Sequence, residues 1–167
     1  MKLWEHIKNA MVAHPTQEIC ESAATMSFED TVIWAEAFAK RLEGLQCCAI
    51  LCTSEMAASM ALLACFAAEV TAVPLSMRYG KTHCNKILDT ISPDAIVMDT
   101  NGKLTVYKLK DSQYIAPPEH PALIMCTSGT TGKPKGAMLT HDNFVKDATG
   151  ALAVFGAHLD SKDSFFV

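Results

Sequence analysis

The sequence predicts an α/β fold with a mostly parallel sheet flanked by helices on both faces. Several apolar runs have strand length and do not alternate with polar residues, which is typical of strands buried on both faces. Segments with helical periodicity separate these runs, as the crossover connections of parallel strands require. Half of the 167 residues are hydrophobic, so the chain has enough apolar surface for one globular unit.

An amphipathic helix and two short strands are predicted at the start of the chain. The helix covers residues 3–12 and ends before Pro15, because the residue preceding a proline disfavours helical geometry. Residues 18–20 and 24–28 have the composition of short extended segments. Trp4 lies on the helical pattern, and we expect it in the core or at an interface.

The second predicted helix has both a start signal and a stop signal. Ser27 and Asp30 have the spacing of a capping box, and Gly44 can end the helix. Trp34 lies on this helix and is also expected in the core or at an interface. One face of the helix is apolar and consists of Val32, Ala35, Phe38, Ala39 and Leu42.

A buried strand, helix and strand are predicted next. Residues 47–52 form a continuous apolar run, and Ser54 is a suitable N-cap for a helix that extends to Ala68. The apolar run at residues 56–68 is too short to cross a bilayer, which needs roughly 20 residues, so we interpret it as a buried helix. Residues 71–75 predict the following strand.

A weaker helix and a hairpin come next along the chain. The helix is predicted over residues 82–91, and residues 95–99 supply another buried strand. The dipeptide Asn101-Gly102 is a strong signal for a two-residue turn. It joins this strand to residues 104–109.

Composition and charge exclude several classes of protein. The net charge of -4 and the pI near 5.8 leave no basic surplus for binding a nucleic-acid backbone. Residues 1–10 lack the apolar stretch of a secretory leader, and the cysteines lack the C-x-x-C spacing of zinc sites. We therefore expect a cytoplasmic protein with reduced thiols, no membrane span and no metal ligands in this chain. The seven cysteines are Cys20, Cys47, Cys48, Cys52, Cys65, Cys84 and Cys126.

The segment that carries the chemistry follows a predicted strand at residues 122–126, which comes after a polar surface segment at residues 110–121. Its glycines let backbone N–H groups turn toward a ligand, and its hydroxyls and lysines add donors and positive charge. Pro134 stiffens the chain between the two lysines. These groups together predict a polyphosphate-binding loop. The ten residues are Thr127, Ser128, Gly129, Thr130, Thr131, Gly132, Lys133, Pro134, Lys135 and Gly136.

Other interpretations of this loop fit the sequence less well. A glycine-rich surface turn with solvated lysines is one, but ten specified positions after a buried strand argue against it. The pattern GxxxxGK[ST] fails because Pro134 follows Lys133, and no GxGxxG occurs. The loop therefore belongs to a different class of phosphate loop.

The segment TSGTTGKPKG resembles the signature of the adenylate-forming superfamily, which includes acyl- and aryl-CoA synthetases, adenylation domains of non-ribosomal peptide synthetases, and firefly luciferase. Weaker similarity extends upstream to residues 27–30 and 72–75. Glu69 departs from the glycine usual near that position. The signature continues after the loop with Ala137, Met138, Leu139, Thr140, His141 and Asn143.

The resemblance implies an ATP-dependent ligase with ATP and Mg²⁺ as cofactors. In the superfamily, ATP and a carboxylic acid give an acyl-adenylate and pyrophosphate. Coenzyme A or a carrier-protein phosphopantetheine then usually takes the acyl group. Gly132 and Lys133 would shape the loop. The resemblance assigns the β- and γ-phosphates to Thr127, Ser128, Gly129, Thr130, Thr131 and Lys135.

Members of the superfamily are several times longer than this chain. Residues 1–167 are expected to be part of the large N-terminal domain, without the rest of that domain, the Mg²⁺ site or the C-terminal domain. We therefore expect the chain alone not to catalyse the complete reaction. CoA ligases and peptide-synthetase adenylation domains both fit. The main alternative is a non-catalytic interaction or structural module that retains the loop. Uncovered apolar surface predicts association with a second copy.

Residues around the loop have alternative roles. Asp142 or Asn143 can begin a helix, whose apolar stripe we expect to pack in the core. His141 can lie near phosphate or make a local hydrogen bond, and we assign it no catalytic role. For Cys126, packing is favoured over a reactive thiol. The stripe consists of Phe144, Ala148, Ala151, Leu152 and Phe155.

Overall fold

The computed structural model describes residues 2–21, 24–127 and 135–156 of the chain. The strands in these ranges are β1 (Glu18–Glu21), β2 (Ala24–Ser27), β3 (Cys47–Leu51), β4 (Thr71–Pro74), β5 (Ala95–Thr100), β6 (Lys103–Lys108), β7 (Leu123–Thr127) and β8 (Lys135–Leu139). The α-helices are α1 (Leu3–Ala13), α2 (Phe28–Ala39), α3 (Glu55–Ala68), α4 (Lys81–Ile91) and α5 (His141–Phe155).

A six-stranded, mostly parallel sheet confirms the predicted α/β class. Its strand order is β6-β5-β3-β4-β7-β8, and β1 and β2 form a separate hairpin. The four strands β3, β4, β5 and β7 are parallel, whereas β6 and β8 pair antiparallel with their neighbours. The parallel strands therefore end at one edge of the sheet, which we call the carboxyl edge.

Helices cover both faces of the sheet, as predicted. Ile50 of β3 packs with Phe38 of α2 and Met60 of α3 on one face. Ala49, the preceding residue, packs with Ile87 of α4 on the other face. Adjacent residues of β3 are both buried because side chains along a strand point alternately to opposite faces.

The helix α1 lies outside α2 and α3 and forms a further layer. Its Trp4 is 5% exposed and packs in a cluster with Ala35 of α2 and Phe66 of α3. Trp34 stacks on Phe38, with 4.8 Å between the ring centroids. Both tryptophans therefore pack as the sequence predicted.

The helix and turn signals of the sequence are confirmed where they act locally. The hydroxyl oxygens of Ser27 and Ser54 each accept the backbone N–H of the residue three positions later, at 3.0 and 3.1 Å. Asn101 and Gly102 have φ angles of 52° and 72° and connect β5 to β6. Positive φ at both central residues is the signature of the hairpin turn that this dipeptide favours.

The end of α3 has a left-handed residue where a glycine is the usual choice. Glu69 has φ 58° and ψ 32°. The N–H of Val70 donates to the carbonyl of Cys65 at 2.9 Å, and the N–H of Glu69 donates to that of Phe66 at 3.3 Å. This pair of hydrogen bonds is the Schellman motif. The turn after α3 therefore keeps the geometry of a glycine-closed helix without the glycine.

Two features near the end of the described chain differ from the sequence predictions. Lys135 and Gly136, predicted as the end of the loop, are the first residues of β8. The helix α5 begins at His141 rather than at the two following residues. Thr140 is its cap, because this side chain and that of Asn143 accept each other's backbone N–H groups.

The predicted core packing of the α5 stripe is confirmed for Phe144 and is wrong for Ala148, Ala151 and Leu152. Phe144 is half-buried and lies 5.8 Å from Phe66 between ring centroids. Ala148 and Ala151 are exposed, and Leu152 is 63% exposed. Amphipathic periodicity identified an apolar face, but these three residues of it are exposed to solvent. Within the described ranges, no helix is long and apolar enough to cross a membrane.

Candidate phosphate-binding site

The candidate site lies on the hairpin formed by β7 and β8. Cys126 pairs with Gly136 and Thr127 pairs with Lys135, and we call these two pairs the loop stem. The hydroxyl of Thr127 donates to the carbonyl of Lys135 at 3.4 Å. Three of the ten predicted site residues are therefore brought together here. The other seven lie outside the described residues: Ser128, Gly129, Thr130, Thr131, Gly132, Lys133 and Pro134.

The loop stem opens at the carboxyl edge of the sheet. Its strand β7 is parallel to β4, with Ala72 opposite Leu123. From β4 the chain crosses over β3 to β5, whereas from β7 it goes the other way to β8. Connections that diverge from adjacent strands leave a crevice at the carboxyl edge, where α/β proteins bind ligands.

The segment after β4 leaves the sheet beside β7, because these two strands are neighbours. A short 3₁₀ turn at Met77–Tyr79 begins with the hydroxyl oxygen of Ser76 accepting the N–H of Arg78 at 3.3 Å. The Arg78 side chain is exposed, and Tyr79 is 70% exposed with its ring 5.7 Å from that of His83. No motif in the sequence marks these residues. Their position follows from strand order, which no local pattern in the sequence encodes.

Carboxylates from the chain itself already occupy the start of α3 at the same edge. Glu21 of β1 accepts the hydroxyl of Ser54 at 2.5 Å and the backbone N–H groups of Glu55 and Met56 at 2.7 and 3.0 Å. The Ser54 hydrogen bond, followed by the two backbone bonds, lowers the pKa of the Glu21 carboxyl. Its negative charge fills a helix terminus that would otherwise attract an anion.

A second carboxylate closes the adjacent turn after β3. Asp99 accepts the backbone N–H and the hydroxyl of Thr53, both at 2.6 Å, and the N–H of Ser54 at 3.3 Å. Partial burial raises the pKa of the Asp99 carboxyl, but these hydrogen bonds outweigh it, and the pKa lies below its ordinary value. An added phosphate would meet two negative charges here. The start of α3 is therefore unfavourable for a phosphate.

Cys126 and His141 lie near the ends of the β7–β8 hairpin, and both side chains are partly buried. Burial raises the pKa of the Cys126 thiol, which disfavours the reactive thiolate and agrees with packing. His141 follows the end of β8 opposite Leu123, a strand length of about 13 Å from the loop stem. Burial lowers the pKa of His141 while Glu69 opposes that shift, and its buried Nδ1 has no hydrogen-bond partner among the described residues. The phosphate role considered for His141 therefore stays a prediction.

Two clefts in the described part of the chain lie away from the loop stem. A cleft of about 410 Å³ lies between α1, α2 and the end of α3 and includes Trp4 and Glu36. Another of about 310 Å³ lies between α2, α3 and the β5–β6 turn and includes Met26 and Leu104. No residue of β7 or β8 lines either cleft.

Comparison with known proteins identifies one family and several relatives. The family model described as AMP-binding enzyme matches residues 7–166. Long-chain-fatty-acid–CoA ligase 6 of Homo sapiens is 57% identical over 37 residues, which is 22% of this chain and 5% of that protein. A hybrid PKS-NRPS synthetase of Pyrenochaetopsis sp. is 30% identical over 108 residues, covering 53% of this chain and 3% of that protein.

Solved structures of ligases share the fold at low sequence identity. A fatty acid AMP ligase from Legionella pneumophila matches with a TM-score of 0.74 and 20% identity, over 95% of this chain and 33% of that one. o-Succinylbenzoate CoA synthetase from Bacillus subtilis, in complex with an acyl-adenylate intermediate, matches with a TM-score of 0.75 and 20% identity, over 98% of this chain and 48% of that one. The chain therefore spans a third to a half of these structures and a few per cent of the curated relatives.

Proposed function

The chain belongs to the AMP-binding enzyme family, and on that premise we propose that residues 1–167 are the first part of the large domain of an ATP-dependent acid ligase. The observation that supports this proposal is the position of the loop stem. It carries the signature loop at the carboxyl edge, beside a diverging connection, where nucleotides bind in open α/β sheets. The relatives include both CoA ligases and non-ribosomal peptide synthetases.

The proposed reaction has two steps. A carboxylate oxygen of the acid attacks the α-phosphorus of ATP, and the bond to the bridging oxygen breaks, so pyrophosphate leaves and an acyl-adenylate forms. The thiol of coenzyme A or of a carrier-protein phosphopantetheine then attacks the acyl carbon, loses its proton, and releases AMP. Each step conserves the phosphorus and sulfur oxidation states, so no redox partner is needed.

The residues of this chain would act on the leaving pyrophosphate. Negative charge develops on its oxygens as the bond breaks, and donors already in place stabilise that charge without reorganisation. In this proposal Lys135 supplies positive charge and Thr127 a hydroxyl at the base of the loop. Further donors would come from the seven loop residues outside the described ranges, which include Lys133. The described ranges contain no group of three His, Cys, Asp or Glu side chains that could hold a metal ion, and we assign none of them a role toward Mg²⁺.

Calorimetric titration of the chain with ATP, inorganic triphosphate and AMP tests the phosphate role. We expect ATP and triphosphate to bind and AMP to bind far more weakly, because the loop is proposed to hold the β- and γ-phosphates. Lys135→Ala should weaken triphosphate binding about 10- to 150-fold, since a charge-assisted hydrogen bond contributes about 1.5–3 kcal/mol. Lys110→Ala removes an exposed lysine from the segment before β7 and serves as the matched control.

Two results would contradict the phosphate role. One is equal affinity for AMP and triphosphate, and the other is equal weakening by Lys110→Ala and Lys135→Ala. We also expect no acid-dependent exchange of pyrophosphate into ATP by this chain alone. Robust exchange by the purified chain would show that it contains a complete active site and is more than the first part of one.

A further inference from the structure

The glycine that ends the phosphate motif does not have the backbone conformation that requires glycine. Gly44, Gly80 and Gly102 have positive φ angles, and Gly136 is not among the described residues that do. Gly136 lies within β8, in register with Cys126. Glycine in a strand weakens it unless another group needs the space, so the reason for Gly136 must lie in its missing side chain.

The side chain of Ile124 occupies the space that a side chain at residue 136 would need. A Cβ added at residue 136 would lie 2.8 Å from Cγ2 of Ile124, closer than real Cβ contacts allow. Ile124 is opposite Met138 in the register, so it reaches diagonally across the hairpin to Gly136. The two residues form a close contact between β7 and β8. Gly136 lies one residue pair before the last pair of the loop stem, Thr127 with Lys135.

Ile124 has little freedom to give way. It is 4% exposed and belongs to the cluster beneath α4 that includes Val73 and Ile87. Its χ1 is restricted by branching at Cβ, and the contacting atom is a methyl attached directly to that carbon. A side chain at residue 136 would therefore displace β8 rather than Ile124.

We propose that Ile124 is a positioning residue for the phosphate loop and acts through Gly136. This inference rests on the proposed function of the loop. The core beneath α4 fixes Ile124, Ile124 fixes the distance of β8 from β7 at Gly136, and the next pair, Thr127 with Lys135, holds the ends of the loop. A displaced β8 would move Lys135 and the end of the loop away from the phosphates, although the exposed surface of the site would keep all its charges.

Three variants of the full chain test whether the contact between Ile124 and Gly136 positions β8. They change the sizes of the two side chains separately and together. Gly136→Ala adds the clashing Cβ, Ile124→Ala removes the methyl that it meets, and the double variant does both. Calorimetry with inorganic triphosphate measures affinity, and thermal unfolding measures stability separately. We expect Gly136→Ala to weaken triphosphate binding about tenfold and the double variant to return to within about twofold of Ile124→Ala. Met138→Ala, at an exposed position of the same strand, should bind as the parent chain does.

The double variant keeps the proposal testable if Gly136→Ala alone does not fold. A folded double variant that binds triphosphate at least tenfold more weakly than Ile124→Ala would overturn the positioning role. Unchanged affinity in a folded Gly136→Ala variant would overturn it as well. In both cases the parent chain binds triphosphate and the proposed function stands. Absence of triphosphate binding by the parent chain would instead contradict the proposed function.

Discussion

Replacing Glu69 with glycine should stabilise the turn after α3 relative to replacing it with alanine. The backbone of Glu69 has the left-handed helical conformation, which costs a residue with a Cβ about 1–2 kcal/mol. Glycine avoids this strain but loses more freedom on folding, which costs about 0.5–1 kcal/mol. The difference leaves Glu69→Gly more stable than Glu69→Ala by about 0.5–1 kcal/mol. Both variants keep the hydrogen bonds from Val70 and from residue 69 to the end of the helix.

The comparison with alanine is needed because Glu69 also forms an ion pair with Lys2. Both substitutions remove this pair, so its contribution cancels between them. The two side chains are 51% and 60% exposed, so the pair contributes at most about 1 kcal/mol and should weaken with salt. Lys2→Ala removes the same pair and leaves the backbone of residue 69 unchanged, which measures this contribution alone.

Urea denaturation of the four chains at one pH and two salt concentrations measures these differences. We expect the midpoint of Glu69→Gly to exceed that of Glu69→Ala with no change of slope, since the same surface is exposed on unfolding. The corresponding rise in Tm is roughly 1–4 °C for a chain of this size. An alanine variant as stable as the glycine variant would refute the assignment of strain to the left-handed residue.

Two further predictions concern Glu21 and the exposed face of α5. The pKa of Glu21 is lowered in the folded chain, so its carboxylate stabilises the fold above its ordinary pKa of 4.5 and loses that effect as pH falls below it. Glu21→Gln should therefore flatten the decline in stability below about pH 5, and parallel pH profiles in urea denaturation would contradict this. The chain should self-associate through exposed apolar residues that include Leu152 and Val154, 63% and 67% exposed. Light scattering should show a concentration-dependent mass that Leu152→Ser with Val154→Ser reduces, and a monomer at high concentration would refute it.

Local signals predicted most of the helices and strands. Ser27 and Ser54 cap their helices because each hydroxyl needs only a backbone N–H three residues away. The turn at Asn101 and Gly102 also depends on the φ preferences of two residues alone. The apolar run that became β3 indicated burial on both faces, and the sheet provides it.

The strand β8 was not predicted, because it begins within the phosphate motif. The motif predicts Lys135 and Gly136 as the end of a ligand loop, and in the structure they are also the first residues of β8. An edge strand of five residues with a glycine has little β propensity of its own, so pairing with β7 decides it. The same pairing explains Gly136 through a contact with Ile124, which is twelve residues earlier in the chain.

The sequence by itself determined the fold class, the order of most elements and the ten-residue loop that identifies the family. Periodicity, capping and turn preferences act over a few residues, so they can be read without knowing what lies nearby. Only the tertiary structure decided the strand order, which places β4 beside β7, and the contact of Glu21 with the start of α3. These features depend on groups tens of residues apart, and such pairs meet only when burial of the apolar faces brings the elements together.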